Sequence, residues 1–305
     1  MAAATLPADA AESVTVQEAR ARTLVEGLSA VFQAPAFEGA IVSRVRLVAQ
    51  KPGQLWGDSL PPVWVADLRT PRGTRGHLMW DDGAGGRLVE FALDEPVTPI
   101  PSHGGVLGGL RGIQQFPVPG KDGRKVASGC VPTAAGILIN FWSQNRFSRW
   151  AGDAPKDGRE GTEALSYRIR KRLKMTEIPD TTGYTDDGMT LSGALPAALK
   201  EVISQDAAEQ GVYVRTEYRR YSAELLREEI SSGRPVLLDC LVRLPHKPEL
   251  SWGHEITGVG WLEWEGVRFA GVRDNFFPTR SEEATRWIRE EAFGGILTVH
   301  PREPR

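Results

Sequence analysis

Cys130, His254 and the adjoining Asp274 and Asn275 are the residues whose types and placing could support covalent chemistry. Cys130 stands in "SGCVPTAAGILINFW", residues 128–142, at the mouth of an apolar segment. Ala134, Ile137, Leu138 and Phe141 form the stripe of a helix that begins here. Pro132 falls inside its first turn, where a missing N–H does no harm. A thiol at a helix entrance meets unpaired N–H groups and the positive end of the macrodipole, and both favour the thiolate, the nucleophilic form. The same N–H groups can receive an oxyanion formed by attack at that sulfur. Cys240, closing "RPVLLDC" on a strand, reads instead as a small core residue.

A nucleophilic thiol needs a base, and the base needs an orienting group. His254 lies in "SWGHEITGVGW", sharing a strand face with Ile256. The next strand reads "GVRDN", and a hairpin turning at Glu265-Gly266 brings Asp274 and Asn275 alongside the histidine. An acid or an amide there can fix the imidazole's tautomer, and both remain open for that role.

The elements that hold these residues follow from periodicity. Ala21, Leu24, Val25, Leu28, Val31 and Phe32 make one stripe of a helix over about 16–33. The runs "AIVSRVRLV", "VWVADL", "GHLMW" and "GRLVEFAL" read as short strands, with "DDGAGG" as a hairpin turn. The expected layout is a disordered tail over 1–14, a helix plus antiparallel meander over 15–96, a Pro/Gly-rich linker over 97–112 and a second domain over 113–305. In that second domain "EALSYRIRKRLKM" reads as a solvated basic helix face, and Asp186 and Asp187 as helix caps rather than calcium ligands. "SAELLREEISSGRPVLLDC" reads as helix, turn and buried strand, and "GGILTVH" as a last strand. Helices first and an antiparallel sheet after make the fold class α+β.

Composition removes several function classes. A chain of 305 residues, 41% hydrophobic and 25% charged, has material for a full core. Its net charge of −2, from 37 basic and 39 acidic residues, gives no footing for nucleic acid or an anionic membrane. The two cysteines and five scattered histidines show no metal-ligand spacing, so no metal or cofactor is expected. No segment reads as a membrane span or a secretory signal. As it stands the chain reads as cytoplasmic, or as secreted if a signal has been removed.

Taken together, the motifs resemble those of papain-like cysteine peptidases, in particular the bacterial branches that process bacteriocin leader peptides (double-glycine peptidase-like) and the streptopain-like enzymes. "GCVPTAAGILINFW" is similar to their Gly-Cys-x-x-Thr-Ala opening of the nucleophile helix, and "GHEITGVGW" to their histidine strand. "VRDNF" is similar to the segment carrying the third residue, and "LLREEISSGRPVLLD" to the helix-Gly-x-Pro-strand before the histidine. The resemblance covers roughly residues 113–300 and implies a nucleophile helix packed on an antiparallel sheet. It implies Cys130 as nucleophile, His254 as base and Asp274 as third residue, with Asn275 the alternative. The family's oxyanion-hole glutamine stands closer to the nucleophile than any here; Gln115 is the nearest candidate and Gln114 the alternate, with "GKDGRK" as an intervening loop.

The implied activity is hydrolysis of peptide bonds through a thioester, with a peptide or protein as substrate. An acyltransferase or amidase on the same triad is the neighbouring alternative, and a non-catalytic binding module on the same fold is the alternative of another class. The 15–96 unit is similar in layout to the pro-domain of some streptopain-like enzymes. It is expected either to mask the active site until the linker is cut or to serve as a permanent accessory domain. Trp252, Trp261, Trp264 and Phe276 could line a subsite, although most tryptophans are core residues.

Overall fold

The stripe of the first helix folds as its spacing requires. In the computed structural model, which describes residues 8–33, 37–49, 60–82, 86–120, 125–145, 147, 150, 158–173, 195–207, 213–244, 247–275 and 281–302, helix α1 (Ala8–Val31) buries Ala21, Leu24, Val25, Leu28 and Val31. The helix begins well before residue 16, in an alanine-rich stretch of high intrinsic helix propensity. The next four strands are β1 (Ile41–Val48), β2 (Val63–Arg69), β3 (Arg75–Asp81) and β4 (Leu88–Leu93), paired antiparallel in chain order as a meander. The tip of the "DDGAGG" turn, 83–85, lies outside the described residues.

The Pro/Gly-rich segment that follows is tied to the sheet. Its strand β5 (Gly104–Val106) pairs with β10 (Lys247–Trp264), and Leu107 N donates to Val259 O at 2.7 Å. A Cβ on Gly104 would sit 2.4 Å from Trp261 O, so only glycine permits this approach. Buried residues alternate with exposed ones along the segment: Val97, Pro99, Gly104 and Leu110 are buried, while Pro101, Ser102, Gly108 and Gly109 are exposed.

The remaining elements are the small ribbon β6 (Pro117–Pro119) and β7 (Lys125–Ala127), then α2 (Cys130–Asn145), α3 (Gly158–Arg172) and α4 (Leu195–Ala207). Strand β8 (Tyr213–Arg220) and helix α5 (Ala223–Ser231) precede β9 (Val236–Leu244), β10, β11 (Val267–Arg273), β12 (Arg286–Arg289) and β13 (Phe293–Arg302). Strands β10 and β11 form the expected hairpin about Glu265-Gly266. Asp186 and Asp187 lie outside the described residues.

The architecture is α+β. A single eleven-stranded antiparallel sheet runs in the order β1-β2-β3-β4-β12-β11-β10-β9-β13-β8, with β5 added beside β10. The meander joins the later strands where β4 pairs β12, as Phe91 opposes Trp287. One core lies under α1 and reaches Trp264, Phe269 and Trp287 of the later strands. A second packs α2, α3 and α4 against Leu237, Val259 and Leu297, and a third seats α5 on Leu238, Ile256 and Val272. Helix α2 is enclosed almost all round, buried at every residue from Val131 to Ser143, and opens only at its two ends, Cys130 and Gln144-Asn145. No helix among the described residues is long and apolar enough to cross a membrane.

Candidate active site

Cys130 is the first residue of α2. Gly129 before it has φ = +91°, a bend that glycine takes without strain. The bend is pinned from both sides. Ser128 N donates to Phe116 O at 2.8 Å, and Phe116 N returns a bond to Ser128 Oγ at 3.1 Å. The Thr133 hydroxyl lies 2.8 Å from Ser128 Oγ and donates to Gly129 O at 2.7 Å. Arg170 Nη1 adds a bond to Ser128 O at 3.1 Å. Arg170 belongs to the basic run read as a solvated face; it is buried, whereas its neighbours Lys171 and Arg172 are exposed.

His254 lies on β10 opposite Cys240 of β9. The β10–β11 ladder ends at Thr257 and Arg273, and the chain leaves the sheet at Asp274. This departure turns the Asp274 carboxylate back to the ring: His254 Nε2 donates to Asp274 Oδ1 at 3.0 Å, with the two side chains 3% and 2% exposed. The Cys130 thiol acts on the same imidazole from the entrance of α2, and with Nε2 on Asp274 the ring nitrogen left for the sulfur is Nδ1. Burial disfavours charge on the ring. The hydrogen bonds to Asp274 and Cys130 and their charges outweigh it, and hold the His254 pKa up at about 9 against an ordinary 6.5.

Asn275 does different work. Fully buried, its Nδ2 donates to Cys130 O at 3.0 Å and to Glu255 O at 3.1 Å. One amide thus takes the place of the missing ladder strand and ties the entrance of α2 to the strand that carries His254. Because that NH₂ group serves two carbonyls, Asn275 Oδ1 is left to accept from Gln115 Nε2 at 3.3 Å, while Gln115 N donates to Asn275 O at 2.8 Å. Gln115 is thus linked to the Cys130 carbonyl through the Asn275 amide, its own Oε1 buried without a hydrogen-bond partner among the described residues. Gln114 instead lines a cavity of about 140 Å³ that backs onto Asp274 and Arg286 and that neither Cys130 nor His254 lines.

No family model matches the chain, and no curated protein matches its sequence. What the site can do rests on its geometry.

Three further residues complete the charged surroundings, and no sequence motif assigns any of them to the site. Arg286 of β12 donates through Nη1 to Asp274 Oδ2 and through Nε and Nη2 to Glu90 of β4, at 2.8 and 2.6 Å. His77 Nε2 lies 2.7 Å from Glu90 Oε1. Other expectations fall away from the site. Cys240 is buried, donates its thiol to His254 O at 3.3 Å, and has its pKa pushed well up by burial. Trp264 packs under α1, and Trp261 carries the Arg227 guanidinium over its ring at 4.3 Å. The Trp252 side chain and Phe276 lie outside the described residues. Among the described residues no cluster of His, Cys, Asp or Glu is arranged to hold a metal ion.

The raised imidazole pKa has a consequence for stability. A ring whose folded pKa exceeds its unfolded one contributes fully below the unfolded value, and the contribution is lost as pH rises through the folded value. The window here runs from 6.5 to about 9. Melting temperatures recorded across it are expected to fall more steeply for the native chain than for His254→Gln; parallel slopes would show that the ring is not held charged.

Proposed function

We propose that this chain is a cysteine peptidase with a papain-like fold, cleaving peptide bonds through Cys130, His254 and Asp274. The observation that carries the reading is one imidazole shared between a thiol at a helix entrance and a buried carboxylate. In the acylation step the Cys130 thiol gives its proton to His254, its sulfur bonds to the substrate carbonyl carbon, and the carbonyl oxygen takes up the electron pair. Initial N–H groups of α2, which lack intrahelical acceptors, receive the developing charge, and the second amide hydrogen of Gln115 is the side-chain donor assigned to join them. Collapse of this intermediate breaks the C–N bond as the His254 imidazolium gives its proton to the leaving amine. Water, deprotonated by the now neutral ring, then attacks the thioester carbon and releases the acid and the thiol. Asp274 holds the ring by its Nε2–H throughout and favours its charged form. Asn275 has both amide hydrogens on backbone carbonyls, so its part is to hold α2 against β10.

The same chemistry separates the two cysteines. A peptidyl acyloxymethyl ketone alkylates an activated thiolate. Intact-mass and peptide mapping are expected to place one adduct on Cys130 and none on the buried Cys240. Labelling of Cys240 alone, or no labelling of the folded protein, would reject the peptidase.

A further inference from the structure

The line of buried charges behind the triad begins in the N-terminal meander. Arg286 is 2% exposed, between Glu90 at 3% and Asp274 at 2%, so its guanidinium has almost no water to spread its charge. Glu90 takes the two-pronged side, Nε and Nη2, and Arg243 O takes a further Nη2 bond at 2.7 Å. Nη1 meets Asp274 at Oδ2, while His254 takes Oδ1. A buried guanidinium with a single carboxylate takes both of its oxygens, since fork-to-fork pairing is the strong geometry. Here that pairing belongs to Glu90. His77, from β3, closes the far end against Glu90 Oε1.

We propose that Glu90 is a positioning residue for His254: by pairing with Arg286 it lets that arginine anchor Asp274 without drawing Asp274's charge away from the imidazole. The inference rests on the peptidase reading and gives the 15–96 segment a constructive part in the site, in place of a removable cover. Charge bookkeeping supports it. On the ring act Cys130 of α2 and Asp274 after β11, with Cys240 of β9 against the His254 carbonyl and Arg286 of β12 behind Asp274. Glu90 and His77 stand one step further out. Without the Glu90 charge, Asp274 is the one carboxylate left to Arg286, which turns both prongs on it and draws its charge from the imidazole. That change and the lost Glu90 charge itself both disfavour a proton on His254.

The test is ¹⁵N-histidine NMR of the full chain, following the His254 ring nitrogens through a pH titration. The native protein is expected to titrate near 9. Glu90→Gln should lower the value by about one unit, a tenfold change in the protonation ratio. Glu90→Gln with Arg286→Met, which removes both buried charges together, should return it to within a few tenths of the native value. Equal values in all three proteins would make Glu90 purely structural and overturn the proposal. An equal fall in both variants would also overturn it, since the shift would then come from loosened packing. If Glu90→Gln does not fold, Glu90→Asp takes its place, a carboxylate that keeps the charge but loses the two-pronged reach to Nε and Nη2; the His254 value should again fall, and a native value would overturn the proposal. Failure of the peptidase reading would show earlier: native His254 would titrate near 6.5 and Cys130 would resist the ketone.

Discussion

Cys130→Ala is expected to lower cleavage of a fluorescence-quenched peptide mixture by at least about 10⁴-fold, because removing the nucleophile of a triad costs as much as removing the whole unit. The fold should survive. Cys130 is only partly buried, and the bend before it is held by Ser128, Thr133 and Arg170, not by the thiol. The melting temperature should therefore stay close to native while the rate collapses. Asp274→Asn should fall between the two, losing about 10²–10⁴-fold, since an amide can reach the ring but carries no charge to favour the imidazolium. That variant also leaves Arg286 with Glu90 as its one carboxylate, so a modest loss of stability should accompany it. No cleavage by the native chain, with Cys130→Ala indistinguishable from it, would leave a binding module as the remaining reading of this fold.

The residues that bear on the chemistry differ in how far the sequence announces them. His254 and Asp274 were legible because a strand histidine, a turn at Glu265-Gly266 and an acid on the return strand together fix a register. The choice between Asp274 and Asn275 was not legible. It depends on the ladder ending at Thr257 and Arg273, which turns one side chain to the ring and the next to two backbone carbonyls. Glu90 was invisible for a stronger reason. In "GRLVEFAL" it occupies the position of an outward polar residue on an alternating strand, and it becomes buried only because β4 meets β12. Its partner Arg286 lies 196 residues away, and no local pattern reports such a pairing. The segment 97–112 misleads in the same way: glycine enrichment reads as a loose tether, yet Gly104 serves a close approach to Trp261 O.

Trp287→Ala should be the most damaging single change in the core, costing about 3–5 kcal/mol in urea denaturation, the range for losing a large buried aromatic. Trp287 is fully buried on β12, where the meander joins the rest of the sheet. Phe91 of β4 stacks on it with ring centroids 6.2 Å apart, and Phe32 at the end of α1 meets it edge-on at 5.6 Å. The later strands are cut to fit it: a Cβ on Gly260 or Gly271 would come within 3.0 Å of its indole. With glycine backbone on one side and stacked rings on the other, the site has few side chains able to relax into the void, so the cavity cost is retained in full. Trp287→Phe should cost much less, because the smaller ring keeps most of the stacking and removes an indole N–H that is buried without a partner among the described residues. The same experiment reports on how the halves of the sheet are coupled. If the ring locks the meander to β12, Trp287→Ala should shift one transition as a whole. A cost below about 1 kcal/mol would deny the indole that role. A native-like second transition from the meander alone would show that residues 15–96 hold together without β12, and that their hold on Arg286 through Glu90 is correspondingly loose.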